Sequence, residues 1–345
     1  MKAVGYSKSL PITDAKALED IDIPQPEAKG RDLLVKIKAI AVNPVDTKIR
    51  RGAEPEAGEY KVIGWDAVGE VVAVGENVTV FEPGDLVYYA GDVTRAGCNA
   101  EFQLVDERIV GHKPSSLSDA DAAALPLTTI TAWEMVFDHL NLQKQDPASI
   151  QANDEVILVV GAAGGVGSIL IQLVKKLTGA TVIATASRDE SKAWVESLGA
   201  DYVLNHRRPL KPQIETLIAD SGIAAVTHVA GLTGTDQYFD DYIAILAPFG
   251  KIAMIDDPDT LDVMKIKSKS LSLHIEFMFA RSMHHAADMN RQHELLETVS
   301  RLVDQGVIRT TVGKNLGLIN SEHLKQAHAE LEPGTAVGKI VLEGF

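Results

Sequence analysis

The chain has 345 residues, 46% of them apolar, and a formal charge of −15. That length exceeds one ordinary core, so two domains are expected. The acidic balance argues against nucleic acid or anionic membrane as a general partner, while leaving room for a local basic pocket. No apolar run approaches the roughly 20 residues that span a bilayer, and the N-terminus has no apolar signal core. The single cysteine, Cys98, excludes an internal disulfide and a multi-cysteine metal lobe. A cytoplasmic protein with no membrane association is expected.

Residues 1–120 read as β-rich. Short apolar stretches at 33–42, 67–74, 86–90 and 100–105 are separated by Gly, Pro, Asn and Asp, which suits a compact barrel-like domain. Asp46 is positioned to tie the helix start that follows Pro44. Ser118 is the expected N-cap of a helix entering the alanine-rich run after it. From 121 to 304 strand and helix patterns alternate, with strands expected at 155–160, 181–186, 202–205, 226–229, 251–255 and 271–277. That alternation predicts a doubly wound parallel sheet. Residues 305–345 end in the run GKIVL at 338–342, a last strand that can return to the first domain.

The densest signal is VILVV at 156–160 followed by GAAGGVG at 161–167. A buried strand breaks into Gly161, Gly164 and Gly167, and an apolar-sided helix follows. Strand, glycine turn and helix N-terminus together make a pyrophosphate site, because glycines admit the phosphates and the first-turn N–H groups face the anion. Gly161, Ala163, Gly164, Gly165, Val166 and Gly167 are therefore candidate cofactor contacts, as is Gly231 at the end of a later strand. In NAD-binding folds an acid normally ends the second strand and holds the ribose 2′-hydroxyl. Here that strand ends in Ser187 and Arg188, a hydroxyl beside a guanidinium, which suits a 2′-phosphate. Lys192 adds charge one turn later, and His206 is placed to flank the adenosine. NADPH is the expected cofactor; the alternative makes Arg188 and Lys192 a solvated helix start capped by Asp189.

With AVNPVDTKIR at 41–50, GWDAVGEVVAVG at 64–75, PGDLV at 83–87, ALPLTTITAW at 124–133 and GKIVLE at 338–343, the chain resembles, nearly end to end, the medium-chain dehydrogenase/reductase superfamily and its quinone oxidoreductase branch. The resemblance implies a GroES-like catalytic domain (1–120 and 305–345), a Rossmann-type NADPH domain (121–304) and a cleft between them. It also implies a homodimer built by pairing the strand at 271–277. Aligned by motif, the zinc ligands of metal-dependent members become Asn43, Trp65-Asp66 and a position near Leu127. One carboxylate will not hold zinc, so no metal is expected.

Without a metal to stabilise an alkoxide, a substrate with its own electron sink is favoured, such as a quinone or an enone. The resemblance places Asn43 and Thr131 at the nicotinamide end of the site and adds Lys339 to the cofactor contacts. Asn43 is expected to donate to cofactor or acceptor. Trp65 offers a flat wall for an aromatic ring or else simply fills the vanished metal sphere. Tyr60, Phe277 and Phe279 are candidate substrate contacts. His274 and Glu276 share one strand face, open either to an inter-subunit bond or to the substrate. His284, His285 and His293 read as surface residues. The expected activity is NADPH-dependent quinone reduction, with enoyl or alkenal reduction as the alternative, then zinc-dependent alcohol dehydrogenation or a non-catalytic NADPH-binding role.

Overall fold

The computed structural model describes residues 1–345. The chain divides into two compact units, Met1–Ile130 with Phe279–Phe345, and Thr131–Met278. No helix is long and apolar enough to cross a membrane.

The second unit is a six-stranded sheet in the order Tyr202–Leu204, Thr181–Thr185, Val156–Val160, Val226–Gly231, Leu246–Met254, Ser272–Ile275. Every neighbouring pair is parallel. Numbered along the chain, this is the order 3-2-1-4-5-6 of a doubly wound sheet, with the reversal beside Val156–Val160. All five side chains of that strand are buried, which explains its continuous β-branched run: both faces are covered, so no polar alternation is needed. Val156, Leu158 and Val160 pack with Ile183, Val229, Phe239, Tyr242 and Ile252 in one cluster. At roughly 1.5–3 kcal/mol per buried aliphatic or aromatic side chain, this cluster dominates the unit's stability.

The first unit carries a β-sheet in the order Val312–Asn315, Lys339–Glu343, Asp32–Val42, Ala67–Val74, Leu86–Tyr89, Val110–His112. Phe102–Asp106 pairs with the first half of Asp32–Val42. The closing strand does return: Ile340 pairs with Val42 in antiparallel register. That register sets Lys339 beside Asn43. Ser118 caps its helix as expected, its hydroxyl accepting from Asp121 N–H at 3.1 Å.

The domain limits differ from expectation. Residues 121–130 and 279–304 belong to the first unit rather than to the parallel sheet. The helix Arg291–Asp304 packs on the strands of that unit: Tyr88 Oη donates to Leu296 O at 2.6 Å, and a Cβ on Gly111 would lie 2.6 Å from Leu296 Cβ. A glycine is required where helix and strand approach so closely.

Arg50 is wholly buried in this unit, its Nε donating to His328 Nδ1 at 3.3 Å and its guanidinium paired with Glu332. Burial, with Arg50 adding to it, pushes His328 down to about 3. An unfolded histidine titrates near 6.5, so below that pH the unfolded chain gains the proton first and stability falls as pH falls. At pH 5 this one group costs about 2 kcal/mol. His328→Gln keeps an acceptor for Arg50 and removes the titration, so between pH 7 and 5 the wild type should lose about 2 kcal/mol more than the variant in urea unfolding. Parallel acid limbs would contradict the assignment.

Candidate functional site

In the second unit the glycine turn lies at the C-terminal end of the central strand. Gly161 adopts φ 82°, which a side chain disfavours. The helix Gly165–Leu177 starts at Gly164, whose N-cap position has no side-chain cap. The first-turn N–H groups are thus left for a ligand. A Cβ on Gly164 would meet only Gly161 O at 3.5 Å, whereas one on Gly167 would meet Ala162 O at 2.4 Å. Gly164 faces open space and Gly167 faces backbone, the arrangement of an anion cradle pressed against a strand. Gly161 N–H donates to Thr185 Oγ1 at 3.2 Å, joining the turn to the end of the second strand.

Beyond Thr185 come Ser187, half-buried, and Arg188, exposed. Arg188 is the N-cap of the helix Asp189–Leu198, and its N–H donates to Ser191 Oγ at 3.2 Å. Ser191, not Asp189, therefore caps this helix. Burial lowers the His206 pKa, with Arg207 and Arg188 adding to the effect, so the imidazole lies within electrostatic reach of Arg188. His206 Nδ1 is buried without a hydrogen-bond partner. Ser187, Arg188 and His206 therefore gather at one end of the sheet. Lys192 is more than half exposed and sits 3.8 Å from Glu196, a solvated pair one helical turn apart. Gly231 ends its strand with no room for a side chain, since its Cβ would lie 2.9 Å from Thr235 Oγ1. Asp256, two residues past the end of the strand Leu246–Met254, bonds Thr235; the two lie 21 positions apart, and no local sequence pattern joins them.

Thr131 is buried on the helix Pro126–Trp133. The pair on the edge strand resolves into a bond within the unit: Glu276 Oε2 lies 2.8 Å from His139 Nε2, and the His139 and His274 rings are 5.6 Å apart. Phe277 is 49% exposed.

The first unit holds a buried polar knot. Asn43, Asp46, Asp66 and Lys339 are each at most 3% exposed. Asn43 N–H donates to Asp46 Oδ2 at 2.6 Å, so Asp46 does tie the start of the helix Pro44–Gly52. Asn43 Nδ2 donates to Asp66 Oδ2 at 2.8 Å and to Trp65 O at 3.2 Å. Lys339 Nζ donates to Val42 O at 3.1 Å, to Asp66 Oδ2 at 2.9 Å and to Asn43 Oδ1. Asp66 Oδ1 accepts from Leu127 N–H at 2.7 Å. Burial pushes the Asp66 carboxyl up, with Lys339 and Asn43 pulling against it; burial likewise raises Asp46 to about 7.

This geometry corrects three expectations, for Asn43, Lys339 and Phe279, and favours one of the two open readings of Trp65. Both Asn43 amide hydrogens are engaged inside the unit, so none remains to donate to a cofactor or acceptor oxygen. All three Lys339 protons are used within the knot, so its ammonium has none for a nucleotide. Trp65 is fully buried, its Nε1 donating to Asp92 O at 3.1 Å, and offers no open face to a ring. Phe279, 2% exposed, packs edge-on against Trp65 at 6.3 Å and does not border a mouth. Tyr60 is 44% exposed.

The motif-aligned metal position does not fit zinc. It offers an amide, an indole and one carboxylate already bonded to Lys339, Asn43 and Leu127 N–H, with no imidazole or thiolate among them. Cys98 is buried nearby, with Sγ 3.4 Å from Asp66 O, and burial drives its thiol pKa upward, away from the thiolate a metal needs. No group of three or more His, Cys, Asp or Glu side chains elsewhere is arranged to hold a metal ion, and His293 instead bonds Val110 O at 2.6 Å.

Comparison with known proteins agrees with this architecture. Residues 29–115 match the alcohol dehydrogenase GroES-like domain family, and residues 198–342 the family described as zinc-binding dehydrogenase. A zinc-type alcohol dehydrogenase-like protein of Staphylococcus aureus is 38% identical over 99% of both chains. A chloroplast envelope quinone oxidoreductase homolog of Arabidopsis thaliana is 31% identical over 95% of this chain and 94% of that one. The crystal structure of a putative zinc-dependent alcohol dehydrogenase from Rhizobium etli is 52% identical, covering 100% of this chain and 98% of its own, with a TM-score of 0.94. With a GroES-like domain, a Rossmann-type parallel sheet and end-to-end relatives, the chain belongs to the medium-chain dehydrogenase/reductase superfamily of oxidoreductases.

Proposed function

We propose that this protein is an NADPH-dependent quinone reductase that works without a metal. The observation that carries the reading is the Lys339 ammonium bonded to Asp66, at the motif position where zinc-dependent relatives hold their metal. The cation there is the protein's own, and no ligand set is left for another. Bound NADPH supplies a hydride, and a quinone accepts it because its own ring delocalises the charge that zinc would otherwise stabilise. The open N-terminus of the helix Gly165–Leu177 binds the pyrophosphate through its free N–H groups. Ser187 and Arg188 hold the 2′-phosphate, His206 flanks the adenine, and Lys192 adds long-range charge. Gly231 lets the nucleotide lie close to the sheet, and Thr131 contacts its nicotinamide end. Phe277, an exposed aromatic in the same unit as the glycine turn, is the remaining substrate contact. The second copy of a homodimer pairs with the edge strand Ser272–Ile275, where Ile275 is 70% exposed. A single buried cysteine suits the reducing cytoplasm.

The test is NADPH consumption by metal-analysed protein with a small quinone, an enal and a simple aldehyde. Turnover of quinone without stoichiometric zinc is expected. Preference for the enal would shift the reading to an alkenal reductase; turnover confined to the aldehyde with bound zinc would sink it. Arg188→Ala should raise the Kd for NADPH about 10–100-fold and that for NADH less than about twofold. Equal changes would remove the 2′-phosphate assignment.

A further inference from the structure

The turn after Val226–Gly231 is held by a carboxylate just past the end of the neighbouring strand Leu246–Met254. Asp256 Oδ2 accepts from Thr235 N–H at 2.8 Å, and its Oδ1 accepts from the Thr235 hydroxyl at 2.5 Å. Thr235 is wholly buried and opens the helix Thr235–Ile245, whose N-cap, Gly234, has φ 62° and no side chain to offer. Asp256 thus supplies the cap that Gly234 cannot. Other contacts press residues 232–234 against the glycine turn. Leu232 N–H donates to Val160 O at 3.0 Å, and Ile255 N–H to Gly231 O at 3.2 Å. A Cβ on Gly161 would stand 3.0 Å from Thr233 Cγ2 and 3.3 Å from Leu232 Cβ. Beneath them, the Tyr242 hydroxyl is buried without a partner, 3.4 Å from where a Gly231 Cβ would sit.

We infer that Asp256 is a positioning residue for the dinucleotide: through Thr235 it fixes the 232–234 turn at the height that shapes the pyrophosphate and nicotinamide half of the site. The inference rests on the proposed nucleotide site. Simple electrostatics predicts the opposite sign, because a carboxylate near a pyrophosphate repels it. If Asp256 were only a nearby charge, removing it would tighten NADPH binding. If it positions the turn, removing it weakens binding. Its negative charge also occupies the N-terminal end of Thr235–Ile245, whereas the N-cap of the helix Gly165–Leu177 carries no side-chain cap.

The experiment is calorimetric titration of NADPH and of adenosine 2′-monophosphate, which lacks both pyrophosphate phosphates, into the full-length wild type, Asp256→Ala, Asp256→Asn and Thr235→Val. Asp256→Ala and Thr235→Val should each raise the Kd for NADPH about tenfold and leave that for adenosine 2′-monophosphate unchanged, since the turn abuts Gly161 rather than Ser187 and Arg188. Asp256→Asn should restore NADPH binding to within about twofold, because its amide can accept from Thr235 N–H and donate to the hydroxyl. Unchanged or tighter NADPH binding in Asp256→Ala overturns the inference. So does equal weakening of both ligands, which would mean general loosening. A wild type that binds neither ligand removes the nucleotide site itself and this inference with it, a result recognisable before any variant is made.

Discussion

Lys339→Met is expected to destabilise the protein by about 3–5 kcal/mol at pH 8 and by clearly less at pH 5. The ammonium is 3% exposed and donates to Val42 O, Asn43 Oδ1 and Asp66 Oδ2. Without it, Asp66 keeps only neutral donors, from Asn43 and Leu127. A buried carboxylate stripped of its counter-charge is among the costlier defects a core can carry. Asp66 has one escape, which is to take up a proton, and burial already pushes its pKa upward. In the variant, the folded-state pKa therefore lies further above the unfolded value. A group raised in this way contributes stability that is fully present below the unfolded pKa and is lost as pH rises through the folded one. Adding Asp66→Asn removes the unpaired charge and keeps an acceptor for Leu127 N–H, so the double variant should recover most of the loss at pH 8. Urea unfolding of the two single variants and the double variant at both pH values checks this. A double variant no more stable than Lys339→Met, or a loss independent of pH, would show that the pair is not the unit holding the knot together.

The nucleotide half of the molecule was legible in the sequence because its signals are local. A β-branched run, three glycines at fixed spacing and an amphipathic helix sit within 22 residues, and strand, turn and helix follow in that order at Val156–Val160 and Gly165–Leu177. The limits of the units were less legible. The helix Arg291–Asp304 has an apolar stripe like its predecessors, and a stripe does not say which layer it will cover; Tyr88 and Leu296, 208 residues apart, decide that. The knot around Asn43 was not legible as a group. Asn43 and Lys339 were expected to face a cofactor or acceptor. Which way an amide or ammonium points depends on its partners, and Lys339 lies 296 residues from Asn43. Trp65 was open in the sequence, since a large aromatic beside a former metal position serves equally as a wall or as filling, and its burial and its Nε1 bond to Asp92 O favour filling. His274 ends up on the strand Ser272–Ile275 and Glu276 just past it, and their common neighbour, His139, comes from a π-helical turn that no short-range pattern announces.

Gly164→Ala and Gly167→Ala, two methyl groups placed three residues apart, are expected to fail in different ways. On Gly167 the methyl carbon would lie 2.4 Å from Ala162 O and 2.6 Å from Ala162 C, so the helix must back away from the strand. Overpacking of that kind costs about 1–3 kcal/mol and moves the first-turn N–H groups with the helix, so stability and NADPH binding should fall together, binding by about 100-fold or more. On Gly164, at φ −73°, a methyl is compatible with the backbone and would meet only Gly161 O at 3.5 Å. Thermal stability should therefore stay within about 0.5 kcal/mol of wild type. In the proposed site the methyl enters the space assigned to the pyrophosphate, so binding should still weaken by about tenfold or more. Paired thermal melts and NADPH titrations separate the two. Retained affinity in a stable Gly164→Ala protein would place the anion elsewhere on the sheet, because an alanine cannot share an occupied cradle. Parallel losses of stability in both variants would instead mean that the turn is sensitive to any side chain, making its glycines a requirement of packing and depriving the cofactor assignment of its main geometric support.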